Sequence, residues 1–185
     1  MNYFKNYYEN IVQYDLINKF QYKNINKLPK LHKVVLTFGY KKSNLKQLII
    51  SLVALELISA QKPVFTTSKV SNVTLKIRKG NPVGCKITLR KNKLNIFLVK
   101  LINEFFCDTK LVQNNGKINE TNISFSPTLT FKLKNNLIFS ELEIHYQIFK
   151  NLSNLNIVLI TNSKTSSEFL FLLKSHKIFS KYLQT

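Results

Sequence analysis

Twenty-eight lysine and arginine residues stand against nine acidic ones in this chain of 185, a formal net charge of +19 at neutral pH. Whatever fold the chain adopts has to carry that charge on a surface, because a large excess of one sign opposes compaction unless a polyanion lies close by. The basic residues are not gathered in a tail. Lys41, Lys42, Lys62, Lys69, Lys76, Arg78, Lys79, Lys86, Arg90, Lys91 and Lys93 are spread along the sequence, with many more beyond them. Spread charge predicts a folded surface that lies against nucleic acid or an anionic membrane. With 44% of residues apolar, the chain has the material for a buried core. The most apolar windows, Leu45–Ile58 and Leu155–Thr161, are too short to span a bilayer.

Hydrophobic spacing places the elements. Asn2–Phe20 reads as an amphipathic helix, with Phe4, Tyr7, Tyr8, Ile11, Tyr14 and Ile17 on its apolar side. Pro29 introduces a strand over Leu31–Phe38, in which Val34, Leu36 and Phe38 share a face. A helix follows over Ser43–Ser59, with Ser43 as N-cap and Leu45, Leu48, Ile49, Leu52, Leu55 and Ile58 as its core stripe. Val64–Thr67 is extended. Leu94–Phe106 reads as a helix with Ile96, Phe97, Val99, Leu101 and Phe105 in its pattern. Short strands are expected at Ile123–Phe125 and Leu129–Leu133, and Leu137–Ile144 is expected to continue the sheet. Leu155–Thr161 is a strongly apolar strand. Thr165–Leu173 is a helix whose Thr165 and Glu168 form a capping box.

The stretch from Val73 to Arg90 says most about function. Val73, Leu75 and Ile77 alternate with Thr74, Lys76 and Arg78, and Ile87 and Leu89 alternate with Lys86, Thr88 and Arg90. Period-two alternation predicts two half-buried strands. If they pair, Lys76, Arg78, Lys86, Thr88 and Arg90 form a basic, hydroxylated face suited to a sugar–phosphate backbone. A solvated sheet face normally carries acids as well as bases, and no acid occurs between Gln61 and Leu94. The connection Lys79-Gly80-Asn81-Pro82-Val83-Gly84 holds two of the chain's four glycines and one of its four prolines. Its spacing fits a stiff protruding loop and an ordinary long hairpin turn equally well.

Catalytic chemistry finds no foothold. His32, His145 and His176 are isolated in sequence and read as surface or packing residues. Glu141 and Glu143 form the one close acidic pair and would share a face on a strand. No phosphate-binding glycine loop, nucleophile elbow or zinc-protease motif is present. Cys85 and Cys107 belong to no Cys-x-x-Cys pair and read as buried reduced thiols. A binding role with no metal and no cofactor is therefore expected. A basic peripheral protein on an anionic membrane, or a free-standing RNA binder, is the alternative; the membrane version calls for a basic amphipathic helix, and the first helix is tyrosine-rich with mixed charge.

Gln61-Lys62-Pro63 and the run Leu75-Lys76-Ile77-Arg78-Lys79-Gly80-Asn81-Pro82-Val83-Gly84-Cys85-Lys86-Ile87-Thr88-Leu89-Arg90 resemble the signature of the ribosomal protein L-five family. Tyr7-Tyr8, Leu28-Pro29-Lys30, Ile138-Phe139 with Glu141, and the strand Leu155–Thr161 with Lys164 fall in the family's order, so the resemblance covers almost the whole chain. It implies an α+β fold over residues 1–185: a largely antiparallel mixed sheet, helices packed on one side, and a protruding hairpin loop. It implies a place in the central protuberance of the large ribosomal subunit, with large-subunit rRNA, 5S rRNA and neighbouring protuberance proteins as partners. Thr37, Gln61, Lys62, Lys69, Lys76, Lys86, Thr88 and Arg90 would meet rRNA. Arg78, Lys79, Gly80, Asn81, Pro82, Val83 and Gly84 would face the peptidyl-site tRNA. A small-subunit protein would be met across an intersubunit bridge.

The chain departs from the family at Thr37, where the family has asparagine, leaving one hydroxyl in place of an amide. It departs again at Pro127-Thr128-Leu129-Thr130, in place of a Gly-Asn-Tyr-Ser run, and at Ser140, in place of proline. Lysine outnumbers arginine 26 to 2, and asparagine, isoleucine and phenylalanine abound, as expected of an AT-rich genome. With a start matching the bacterial family and no leader pattern, this composition suggests an organelle-encoded protein of the mitochondrial matrix, with an AT-rich bacterium's cytoplasm as the alternative.

Overall fold

The computed structural model describes residues 3–40, 44–106 and 128–176. Its frame is a five-stranded sheet built from β1 (Leu31–Gly39), β2 (Val64–Thr67), β3 (Pro82–Leu89), β4 (Thr128–Leu133) and β5 (Leu155–Thr161), in the order β2-β3-β1-β5-β4. Every pairing of these strands is antiparallel. β1 lies at the centre because its alternation is the cleanest in the sequence: Val34, Leu36 and Phe38 are buried, and Lys33, Val35 and Thr37 between them point to the other face. The inward residues of its neighbours extend the same layer, Cys85, Ile87 and Leu89 from β3 and Leu155, Ile157 and Leu159 from β5. β4 adds Leu129, Phe131 and Leu133.

Helices cover that layer from one side only. Helix α2 (Leu45–Ser59) supplies Ala54, Leu55 and Ile58, and helix α3 (Lys91–Lys100) supplies Leu94, Phe97 and Leu98. Helix α3 runs on into a π-helical turn, Leu101–Phe106. Two short helices, α4 (Ser140–Glu143) and α5 (Tyr146–Phe149), add Leu142 and Phe149, and α6 (Ser166–Ser175) adds Phe169 and Leu173. The α+β reading, with helices on one face of an antiparallel sheet, therefore holds. Helix α6 begins on the expected capping box: the Glu168 amide donates to Thr165 Oγ1 at 3.3 Å, and Glu168 Oε2 accepts from the Thr165 amide at 3.3 Å.

Several helical faces differ from the expected ones. Ser43 lies outside the described residues, and the α2 cap is Asn44, whose side chain accepts from the Lys46 amide. Leu48, Leu55 and Ile58 are buried as expected, but Leu45 and Ile49 are exposed. The sequence of α2 is apolar on nearly every side, so periodicity cannot choose its inner face. Small residues choose it instead: Ser51 and Ala54 are fully buried and let the helix approach the sheet, with Ser51 Oγ 3.1 Å from Cys85 Sγ. In α3, too, the inner face differs from the expected one: Leu94, Phe97 and Leu98 are buried, while Ile96 and Val99 are exposed. Leu137–Ile144 does not continue the sheet. It is a 3-10 turn, Asn136–Ile138, followed by α4, so Glu141 and Glu143 share no strand. Glu141 bonds Lys100, while Glu143 is exposed. The expected strand Ile123–Phe125 lies outside the described residues, as does Cys107.

The N-terminal rod, α1, consists of Tyr3–Tyr7, a π-helical turn Tyr8–Val12, and Gln13–Phe20. The π turn widens the helix by one residue, so its inner row runs through Phe4, Tyr8, Val12, Leu16 and Phe20, while Ile11 and Tyr14 are exposed, against expectation. Val12 and Leu16 form a second small core with Leu28 and Leu172. Tyr7 Oη donates to the Ser175 carbonyl at 3.1 Å, Tyr8 Oη to the Pro29 carbonyl at 3.0 Å, and Lys19 sits 4.4 Å above the Phe171 ring. His176 is 3% exposed and stacks on Phe4 with ring centroids 4.6 Å apart. Burial pushes its pKa from the ordinary 6.5 down to about 4.

A Cβ at Gly84 would meet the Phe38 carbonyl oxygen at 2.5 Å and Thr66 Oγ1 at 2.9 Å. Gly84→Ala is expected to lower stability by about 1–3 kcal/mol in denaturant titration, whereas Gly39→Ala, with open space around it, costs less. His176 is folded-state neutral, so its contribution is whole above pH 6.5 and is lost as the pH falls from 6.5 towards 4. The loss is about 3 kcal/mol over that window. Melting at pH 7.5 and pH 5 should differ clearly, and less so in His176→Phe, which keeps an aromatic ring in the stack.

Candidate nucleic-acid interface

With all helices on one side, the other face of the sheet is uncovered by any described element. Strand register fixes what it displays. Lys86 lies opposite Thr37, Thr37 opposite Asn156, and Asn156 opposite Lys132, forming one row across four strands. Val64 begins that row on β2, opposite Lys86. A second row runs from Thr88 through Val35 and Val158 to Thr130. Strands lie about 4.8 Å apart, so the Lys86–Lys132 row is about 14 Å wide. None of the five strands contains an aspartate or glutamate. The described ion pairs, Lys5–Glu9 and Lys100–Glu141, involve no strand residue. On the inner face, burial pushes the Cys85 thiol pKa up despite hydrogen bonds from Ser51 and the Phe38 backbone, so the thiol stays protonated and adds no charge to the core.

The residues singled out in the sequence divide into three groups. Thr37, Lys86 and Thr88 come together on the open face, with Lys86 exposed and the two threonines half-buried. Gln61 joins them: its Nε2 donates to the Thr88 carbonyl at 3.3 Å, which clips the segment after α2 to the end of β3. The segment is anchored further by Lys93 Nζ, which donates to the Ala60 carbonyl at 3.0 Å. Lys62 is exposed just before β2, and Arg90, in extended backbone, continues the outward alternation of Lys86 and Thr88. Lys69, Lys76, Arg78 and Lys79 lie elsewhere, in the connection between β2 and β3.

That connection corrects the expected hairpin. Val73–Arg78 is not a strand, and β3 pairs instead with β2. Asn72 explains the difference. Its Oδ1 accepts from Thr74 Oγ1 at 2.6 Å and from the Leu75 amide at 3.3 Å, and it exchanges backbone hydrogen bonds with Ile77. Lys76 takes a left-handed conformation, φ 54°. A side chain that satisfies the local backbone competes with a ladder. The arms of the hairpin are therefore β2 and β3, and its loop is 68–81, closed by Ser68, whose amide donates to the Asn81 carbonyl at 2.9 Å and whose Oγ donates to the Arg78 carbonyl at 2.8 Å. Of the six residues read as its connection, only Lys79, Gly80 (φ 90°) and Asn81 are loop; Pro82, Val83 and Gly84 already belong to β3. Val70 and Val73 are exposed on the loop, at 77% and 91%.

Lys33, Thr130, Lys132 and Asn156 were not singled out from the sequence, although the alternation of Leu155–Thr161 and Leu129–Leu133 contained the signal. An apolar strand draws attention to its core residues; its outward positions matter only once the neighbours are known. Among the described residues, no group of three or more histidine, cysteine or acidic side chains is placed to hold a metal.

The chain's second half, residues 82–179, matches the family model for the C-terminus of the ribosomal L-five proteins. Over 180 residues the chain is 38% identical to the large ribosomal subunit protein uL5m of Reclinomonas americana, covering 96% of this chain and 97% of that one. It is 37% identical over 166 residues to the large ribosomal subunit protein uL5 of Clostridium acetobutylicum, covering 89% of each. It is similar as well to the uL5 protein of Nitrosomonas europaea, at 35% over 176 residues, covering 92% of this chain and 94% of that one.

Proposed function

The chain belongs to the L-five family of ribosomal proteins, structural constituents of the large subunit, and on that footing we propose that it holds ribosomal RNA on the open face of its sheet and reaches the peptidyl-site tRNA with the loop 68–81. The observation that carries the reading is the acid-free face on which Lys86, Thr37, Asn156 and Lys132 form one row, beside Thr88 and the clipped Gln61. Lysines supply charge to phosphates, and threonine hydroxyls with the Asn156 amide supply hydrogen bonds to sugar and phosphate oxygens. A flat, pleated surface without acids meets a backbone along its length free of like-charge repulsion.

The central protuberance is the place this reading gives the chain, with large-subunit rRNA and 5S rRNA as its RNA partners and protuberance proteins as neighbours. Thr37 offers one hydroxyl where relatives of the resembled pattern offer an amide, and the Asn156 amide directly opposite it in the register compensates in kind. The loop differs from the span 78–84 expected to face tRNA. Lys69, Lys76, Arg78 and Lys79 all lie on 68–81: Lys69, Arg78 and Lys79 near its closure at Ser68 and Asn81, and Lys76 in the turn between Asn72 and Ile77. The bridge to a small-subunit protein is expected on the region 109–136, of which 109–127 lies outside the described residues. For the compartment we favour the mitochondrial matrix, supported by the AT-rich residue usage and the similarity to a protein named uL5m; the bacterial relatives keep the bacterial cytoplasm as the alternative.

Crosslinking in the native organelle or cell, followed by sequencing of the attached RNA, tests the assignment. Reads concentrated on large-subunit rRNA, with or without 5S rRNA, are expected; reads scattered over messenger RNA would sink it. In vitro, Lys86→Gln with Lys132→Gln should weaken binding of a 5S rRNA or large-subunit rRNA transcript and reduce the slope of log affinity against log salt by about two, one for each lysine. Folding stability of that variant should stay within about 0.5 kcal/mol, since both side chains are exposed. Arg78→Ala with Lys79→Ala should impair tRNA accommodation on assembled ribosomes while leaving subunit assembly largely intact, and normal elongation in that variant would remove the loop assignment.

A further inference from the structure

At the end of the sheet where β1 begins and β3 ends, a cleft of about 90 Å³ opens between the N-terminal rod, the start of β1, helix α3 and the end of α6. Its charged lining is Lys5 and Lys30, and Asn95 and His176 complete its polar lining beside the rings of Phe4 and Tyr8. Among the described residues, no acid lines it. The nearest described acid on the rod is Glu9, whose carboxylate lies 3.6 Å from Lys5 Nζ, with both side chains about half exposed. Tyr8 Oη is already committed to the Pro29 carbonyl, so Tyr8 contributes a wall and not a free hydroxyl.

His176 is the informative member. It is only 3% exposed, held flat on Phe4, and its Nδ1 is buried without a hydrogen-bond partner. Buried polar atoms are nearly always satisfied, and an orphan asks for an explanation. A neutral imidazole can present an N–H donor at that nitrogen. Two ammonium groups and an amide line this small volume beside the His176 ring, and together they form a set of donors for a compact, multiply accepting anion.

The position of the cleft says where such an anion would come from. Leu89 of β3 lies opposite Val34 of β1, so Arg90 and Lys33 reach the same end of the sheet as Lys30, and Gln61 and Thr88 lie beside them. We infer that the cleft is a phosphate-binding site, taking one backbone phosphate of the RNA strand that lies on the open face and so extending the interface around the sheet end onto the N-terminal rod. This rests on the rRNA reading of the sheet.

The test uses the full-length chain. It has three histidines, so ring resonances are few, and His176→Phe assigns the relevant one by its loss. The His176 ring signal should move on titration with inorganic phosphate and with an rRNA transcript, and Lys30→Gln should suppress both movements. Lys5→Gln with Lys30→Gln should weaken RNA binding severalfold and lower the salt slope by about one. A signal unmoved by either probe, in a chain whose Lys86/Lys132 variant still loses RNA, removes the cleft and leaves the sheet reading standing. If the sheet variant binds RNA normally, the sheet reading fails, and the phosphate titration alone decides the cleft. Movement with phosphate but not with RNA would overturn the backbone as its source.

Discussion

The antiparallel ladder of β1 with both of its neighbours is the constraint on which the other features depend. One nine-residue strand fixes the register of β3 on one side and β5 on the other, and through them the edge strands β2 and β4. Because side chains alternate across a strand, setting the register once settles which residues are buried and which are offered outward. A slip by one position would send Val34, Leu36 and Phe38 into water and bring Lys33 and Thr37 into the core. The close approach of Gly84 to the Phe38 carbonyl guards against such a slip at one end of the pairing, since only a residue without a Cβ fits there.

The two faces of this sheet do different work with the same strands. The inner face is apolar except at Thr161, at the end of β5, and takes the core helices, while the outer face pools threonine, asparagine and lysine from four strands that are distant in sequence. A change of register would move both faces at once, whereas an outward side chain can be exchanged without touching the core. The N-terminal rod is attached by a separate, smaller cluster and by hydrogen bonds from tyrosines to carbonyls, so it is joined to the sheet's end by directional contacts more than by bulk burial.

Much of this was legible in the sequence where a single segment held its own signal. β1 and β5 announced themselves by alternation, and α6 by its capping box. The α+β class and the basic face containing Lys86 and Thr88 were readable too. What was not legible depended on competition or convergence. Val73–Arg78 alternates as a strand would, yet Asn72 satisfies its backbone locally and β2 takes its place beside β3. Helix α2 is apolar on nearly every side, so only contact with the sheet reveals that Ser51 and Ala54 face inward. The cleft around His176 draws on residues near positions 5, 30, 95 and 176, and no window along the chain contains more than one of them.

The absence of acids from the strands has a consequence for the chain on its own. Dissolved ions weaken the mutual repulsion of the lysines crowded on one face, because at physiological ionic strength the screening length is about 8 Å, shorter than the row from Lys86 to Lys132. On the proposed rRNA reading, the same ions compete with RNA for those lysines. Added salt therefore pushes the free protein towards compactness and the complex towards dissociation, so the two properties are tuned in opposite directions by one variable. On that reading the chain is best accommodated where its counterions are fixed in place, on the RNA itself.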